Sequence, residues 1–415
     1  MKKMILSVIV AIILILVSVI SINLLYKTGD FSSGLEPTTV LELVDCSNEF
    51  SFEMYKQLAK DKNQENVFFS PYSITTALGM AYEGARGQTA EEMGYVLNFP
   101  ADNETRWNMM KSYQEYFNAV SDSYNLSTAN SYWLREGQNL NELYRNAIES
   151  YYLAHGEELD FAGDPAGSAK TINDWVEQQT NGKIKELIST DNIDSFTYLI
   201  LTNAIYFKSD WKYQFNPDLT FLETFHLEDG GEVQTGLMHM KNWSIEFNYS
   251  SNDDDQLLQL PYKGGELSMY ILLPEENSIS SLESRLDYEY LNTLKANMTS
   301  QNLNIYMPRF KFEQTYELKK MLSDMGMAGA FSNHADFSGM TDSVSLKISS
   351  VIHQSFVAVN ENGTEAAAAT AVIMNPTSAP IQPILFKANH PFIFFILHEE
   401  TGQILFMGKV GNPNA

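Results

Sequence analysis

Hydrophobic positions change period along the chain, and each change predicts an element. Phe50, Met54 and Leu58 recur every fourth position, the spacing of a helix with one buried stripe. Val67-Phe68-Phe69 is a short apolar run that predicts a strand. It leads into Ser70-Pro71, a helix start: serine accepts a free backbone N–H at the N-cap, and proline tolerates the first helical position. Gly84 predicts the end of that helix, and Thr89 with Glu92 three residues later predicts a capping box for the next. Ile172, Val176 and Ile184 mark a further helical stripe over 172–188, interrupted at Gly182.

The pattern then turns β-like. Thr197–Phe207 is a long apolar run that predicts a strand buried on both faces. Leu258–Pro261 and Leu267–Leu273 flank Gly264-Gly265, a hairpin signal, and Phe392–Leu397 and Ile404–Val410 flank Glu400-Thr401-Gly402, a second one. Leu346–Val359 predicts another long strand. Helices crowd the first half and strands the second, which is α+β rather than alternating βαβ. No repeat at a fixed period and no internal linker divides residues 47–415, so they read as one compact domain.

Before it, Met1-Lys2-Lys3 precede a 22-residue uncharged run, Met4–Leu25, long enough to span a bilayer. Residues 1–25 read as a signal anchor or a signal peptide, with the lysines cytoplasmic and the rest outside. Residues 26–46, with Gly29, Gly34 and Pro37, read as a tether. Composition narrows the picture. With 52 Asp and Glu against 27 Lys and Arg, the net charge of −25 repels phosphates and excludes a nucleic-acid binder. The single cysteine, Cys46, excludes an internal disulfide and a cysteine-based zinc site, and reads as an ordinary small residue near the first helix. An apolar leader, no disulfides and an acidic surface point to a prokaryotic cell envelope.

The segment 361–383 is unlike the rest. Its alanines alone favour an exposed helix. If it is extended, Thr364, Ala366, Ala368, Thr370, Val372 and Met374 share one uncharged face whose first four members are small, while Glu365 falls on the other. Such a segment can slip between two strands at little steric cost.

Glu361-Asn362-Gly363-Thr364-Glu365-Ala366-Ala367-Ala368-Ala369-Thr370 resembles the reactive-centre-loop hinge of inhibitory serpins. The likeness spans about residues 47–413. Asn66–Ile74 (NVFFSPYSI) resembles the entry to that family's second helix. Asn203-Ala204-Ile205-Tyr206-Phe207-Lys208 with Trp211 and Phe215 resembles a strand signature of its main sheet. FKANHPF (386–392) and FMGKV (406–410) resemble its C-terminal signatures. The resemblance implies a serpin fold, about eight or nine helices on three β-sheets with an exposed loop at about 361–383, and a monomer.

It also implies a suicide inhibitor of serine or cysteine proteases, without catalytic residues or cofactors of its own. A protease cuts the loop and forms its acyl-enzyme, and the cut loop then inserts as a strand and distorts the attached enzyme. Counting along the hinge places the reactive bond at Thr377-Ser378, with Met374 and Ala379 as alternatives. Threonine fits the small S1 pocket of an elastase- or subtilisin-like serine protease. By resemblance Asn203 and His353 hydrogen-bond across the closed sheet with Ser70 and Ser73 beneath, a shutter. Trp211, Arg309 and Glu361 form the breach where the loop enters, with an Arg309–Glu361 ion pair.

Other motifs are weaker. Ser209-Asp210-Trp211-Lys212 matches S-x-x-K by chance, since no Ser-Asp-Asn follows. No H-E-x-x-H, G-x-G-x-x-G or P-loop occurs, and no metal site is predicted. Six sequons lie at Asn103, Asn125, Asn242, Asn248, Asn297 and Asn362; a glycan at Asn362 would obstruct the hinge. Residues 101–120 hold only Arg106 and Lys111 as basic residues, which argues against heparin binding. The rival readings are a non-inhibitory serpin, acting as carrier or chaperone, and a serine hydrolase.

Overall fold

The computed structural model describes residues 37–61, 65–118, 121–242, 244–364 and 383–415. Residues Thr39–Ala415 form one compact unit. Among the described residues nine helices pack on three sheets. The helices are α1 Pro37–Leu58, α2 Pro71–Gly84, α3 Gly87–Leu97, α4 Asn103–Phe117, α5 Glu142–Tyr151, α6 Pro165–Gln179, α7 Ile279–Arg285, α8 Tyr288–Ala296 and α9 Lys319–Leu322.

Strands are numbered β1 to β17 in chain order. The seven-stranded sheet runs β1 (Val67–Phe69), β17 (Ile404–Val410), β16 (Phe392–His398), β9 (Leu267–Pro274), β8 (Asp255–Pro261), β7 (Phe247–Ser251), β10 (Thr299–Gln301). Every residue of β9, β16 and β17 is buried, as expected of strands covered on both faces. The four-stranded sheet runs β15 (Ile384–Lys387), β11 (Leu303–Pro308), β6 (Glu232–Lys241), β5 (Thr220–His226). The six-stranded sheet runs β12 (Phe310–Glu317), β13 (Ile352–Asn360), β14 (Gly363–Thr364), β4 (Leu199–Asp210), β2 (Tyr124–Arg135), β3 (His155–Leu159).

Aromatic rings join the six- and seven-stranded sheets. Phe68 of β1 stacks on Phe406 (5.4 Å between centroids) and Phe394 (5.8 Å), and meets Phe312 of β12 edge-on. A separate cluster, including Trp133, Phe161, Ile172, Val176 and Ala204, seats α6 on β2 and β4.

Several sequence expectations are corrected. Residues 37–46, expected to be part of a tether, are helical: α1 begins at Pro37, and Leu43 and Val44 are buried in the core. Cys46 lies within that helix and its Sγ donates to the Asn98 carbonyl. Thr89 and Glu92 form no capping box, because α3 starts earlier; Thr89 Oγ1 accepts from Asp336 N, and Glu92 accepts from Gly329 N. The helix expected over 172–188 runs from Pro165 to Gln179, its start set by Asp164, which accepts from Gly167 N. The strand expected from Leu346 begins at Ile352. The apolar run Met4–Leu25 lies outside the described residues, and among those no helix is long and apolar enough to cross a membrane.

One buried charge pair holds α2 to α4. Arg106 Nε and Nη2 donate to the two oxygens of Glu83 at 2.7 and 2.8 Å, and Trp107 and Tyr152 donate to the same carboxylate. Arg106 therefore faces inward rather than presenting a basic surface, and Lys111 pairs with Glu115. Arg106→Met should leave an uncompensated buried carboxylate and cost about 3–5 kcal/mol. Lys111→Met should cost under about 1 kcal/mol. Melting midpoints of the two variants check the contrast.

Candidate functional site

The site is built where β14 enters the six-stranded sheet. β14 is antiparallel to both neighbours: Gly363 and Thr364 lie opposite Asn360 and Val359 of β13, and opposite Asp210 and Ser209 of β4. Below Thr364 no ladder joins β13 to β4 among the described residues. A cavity of about 470 Å3 occupies the lower part of the interval, lined among others by Ile74, Leu78, Leu201, Met340 and Ile352, with Asn203 and His353. The sheet thus holds a slot with one short strand seated at its top.

The turn 360–363 is fixed on every side. Trp211 Nε1 donates to the Asn360 carbonyl (2.9 Å), Trp211 N to Asn362 O (2.7 Å) and Phe215 N to Glu361 O (2.9 Å). Gly363 has φ 154°, and a Cβ there would meet Ser209 O at 2.2 Å and Asp210 Cα at 2.7 Å. Only glycine lets this backbone approach β4 so closely. The expected Arg309–Glu361 ion pair is present: Arg309 Nε donates to Glu361 Oε1 at 2.5 Å and Arg309 Nη2 approaches the same oxygen. Thr220 Oγ1 donates to it as well (2.5 Å). Burial opposes ionisation of Glu361, but the bonds from Arg309 and Thr220 outweigh it and hold its pKa below the usual range.

At the shutter positions the structure departs from the expected pairing. Asn203 and His353 do not bond each other; they stand on opposite sides of the slot, each tied to the first turn of α2. His353 Nε2 accepts from Ser70 N at 3.1 Å. Asn203 Oδ1 accepts from Ser73 Oγ, and Asn203 Nδ2 donates to Asn130 Oδ1 (2.5 Å). With no ladder between β13 and β4 at this level, the two side chains find partners beneath the sheet instead of across it. Ser70 Oγ bonds Leu405 O, and Ser355 Oγ bonds Phe68 O (2.6 Å), fixing β13 to β1. Burial pushes the His353 pKa down to about 3, so the ring stays neutral and can accept.

Sequence reasoning missed Thr220, Asn130, Ser355 and Tyr262. Tyr262 lies at the hairpin signal Gly264-Gly265; nothing local marks Thr220. The hinge residues Glu365–Thr370 and the candidate bond residues Met374, Thr377, Ser378 and Ala379 lie outside the described residues. No nucleophile is assembled at Ser209: its Oγ donates to Ser123 O, and Lys212 Nζ lies over the Tyr213 ring.

A depressed histidine pKa gives a definite sign. Between about 6.5 and 3 an unfolded chain binds a proton at residue 353 that the folded chain excludes, so stability falls as pH drops through that window. The melting midpoint should decline from pH 6.5 to 5, and His353→Gln should shrink that decline. The remainder belongs partly to His398, which burial pushes down to about 4. An identical slope in the variant would contradict the assignment.

A family model described as serpin (serine protease inhibitor) matches residues 45–413. The chain is 45% identical to a serpin-like protein of Thermococcus kodakarensis, over 89% of this chain and 86% of that one. It is 39% identical to human serpin B3, over 89% and 99%. Among solved structures, Serpin48 of the insect Tenebrio molitor superposes with TM-score 0.80 at 34% identity, covering 92% of this chain and all of that one. Thyroxine-binding globulin in complex with thyroxine superposes with TM-score 0.79 at 26% identity, covering 90% and 99%. Most serpins inhibit serine proteases, and some members, thyroxine-binding globulin among them, do not. On the strength of these matches and of the fold, the chain belongs to the serpin family.

Proposed function

We propose that this serpin is a suicide inhibitor of serine proteases that works by inserting its cleaved loop into the slot between β13 and β4. The observation that carries the reading is β14, already seated antiparallel to both strands above an interval they leave unladdered. Extended in the same register, Ala366 would meet Phe207 and Val357, Ala368 would meet Ile205 and Ser355, and Thr370 would arrive between Asn203 and His353. These positions share the inward face with Thr364, so small side chains suit them. At the shutter level a threonine hydroxyl offers a partner to both flanking polar side chains.

The chain is long enough. Thr364–Thr377 spans about 46 Å extended. Each inserted residue gains ladder bonds at about 1 kcal/mol net apiece, a driving force that a protease held as acyl-enzyme cannot resist. Thr377-Ser378 is the proposed reactive bond, with Met374 and Ala379 as alternatives, and an elastase- or subtilisin-like protease is the proposed target. The apolar run Met4–Leu25 supports export with the domain outside the cell; protease shaving of intact cells tests this, and full protection would refute it.

Residues 37–415 mixed with elastase-like and subtilisin-like proteases should give a band at the summed mass that survives boiling in detergent. Sequencing the released C-terminal peptide should begin at Ser378. Ala368→Asp would bury a charge opposite Ile205 and Ser355. It should abolish the adduct while leaving cleavage intact. Clipping without adduct across the panel, or an adduct unaffected by Ala368→Asp, would count against insertion.

A further inference from the structure

Tyr262 is fully buried, and its hydroxyl lies 2.7 Å from Thr364 Oγ1, its one hydrogen-bond partner among the described residues. The ring cannot turn elsewhere. It stacks on Trp211 at 4.6 Å with 9° between planes, and Phe207 meets it edge-on. Its backbone is stitched on both sides: Tyr262 N donates to Leu267 O, and the neighbouring Lys212 N and Lys263 N donate to Pro261 O and Asp210 O. The turn that follows needs Gly264 and Gly265, both with φ above 80°. The ring that carries the hydroxyl is therefore held in place by contacts that do not involve the hinge. Withdrawing Thr364 would leave it buried and unpaired, which a folded protein avoids.

We infer that Tyr262 is a receptor for Thr364, a positioning residue whose hydroxyl sets the hinge in register between β13 and β4 at the start of insertion. The inference rests on the inhibitory reading for its consequence but not for its geometry. When the hydroxyl pair is intact, the hinge is seated and insertion continues from a laddered start. When it is broken, the hinge leaves more often and a cut loop has longer to deacylate.

Two readouts separate the inference from the reading. The first is amide hydrogen exchange of the 358–364 segment in the full chain without protease. Tyr262→Phe and Thr364→Val should each speed it about tenfold, the size of one lost hydrogen bond. Thr364→Ser should behave as the parent, and the double variant should be no faster than either single one, because one bond is lost only once. Tyr262→Phe keeps the ring on Trp211, so the fold is retained. The second readout is the ratio of trapped adduct to clipped product, which should fall about tenfold in the same variants and recover in Thr364→Ser. Unchanged exchange in Tyr262→Phe, or singles that multiply in the double variant, would overturn the receptor while leaving the inhibitor reading intact. A parent chain that gives no adduct but shows the exchange pattern would end the inhibitor reading and keep the receptor.

Discussion

The rest of the structure depends on one constraint: β13 and β4 are parallel neighbours that are each bound to something other than the other. Parallel strands with no ladder between them leave backbone donors and acceptors that another strand can pair with. Each of the two strands is anchored below the sheet. His353 and Ser355 tie β13 to the segment 68–70, and Asn203 ties β4 to Ser73 and Asn130. Ser70 and Ser73 belong to one helix start, so a single turn of α2 supports both sides of the slot.

At the upper end the same logic is inverted. Glu361 carries a charge that burial disfavours, and Arg309 and Thr220 stabilise it. Trp211 and Phe215 bind the turn's carbonyls, and Gly363 removes the side chain that would collide with β4. These contacts hold the chain up to Thr364, and the sequence that follows is rich in small residues.

The sequence made much of this legible. Ser70-Pro71 announced α2 because capping chemistry is local, and both hairpins followed from their turn residues. The two-residue alternation after Gly363 rests on the sequence alone, since beyond Thr364 it lies outside the described residues. What stayed hidden was non-local. The α1 start at Pro37 depends on burial of Leu43 and Val44, not on composition, and glycine and proline nearby suggested a tether instead. Thr89 looked like a cap, but tertiary bonds to residues 329 and 336 claimed it and Glu92. Resemblance led to Arg309 and Glu361 as partners. It also suggested an Asn203–His353 bond across a closed sheet, and no ladder joins β13 to β4 at that level among the described residues.

The central proposal is that the cleaved loop joins the sheet between β13 and β4, which share no ladder among the described residues. The most direct test is the melting temperature before and after a single cut in 371–380. Filling the slot adds on the order of ten net backbone bonds at about 1 kcal/mol each. At roughly 1 °C per kcal/mol for a folded unit of this size, the cleaved chain should melt about 10 °C or more above the intact one. Equal midpoints for the intact and cleaved chains would contradict the account.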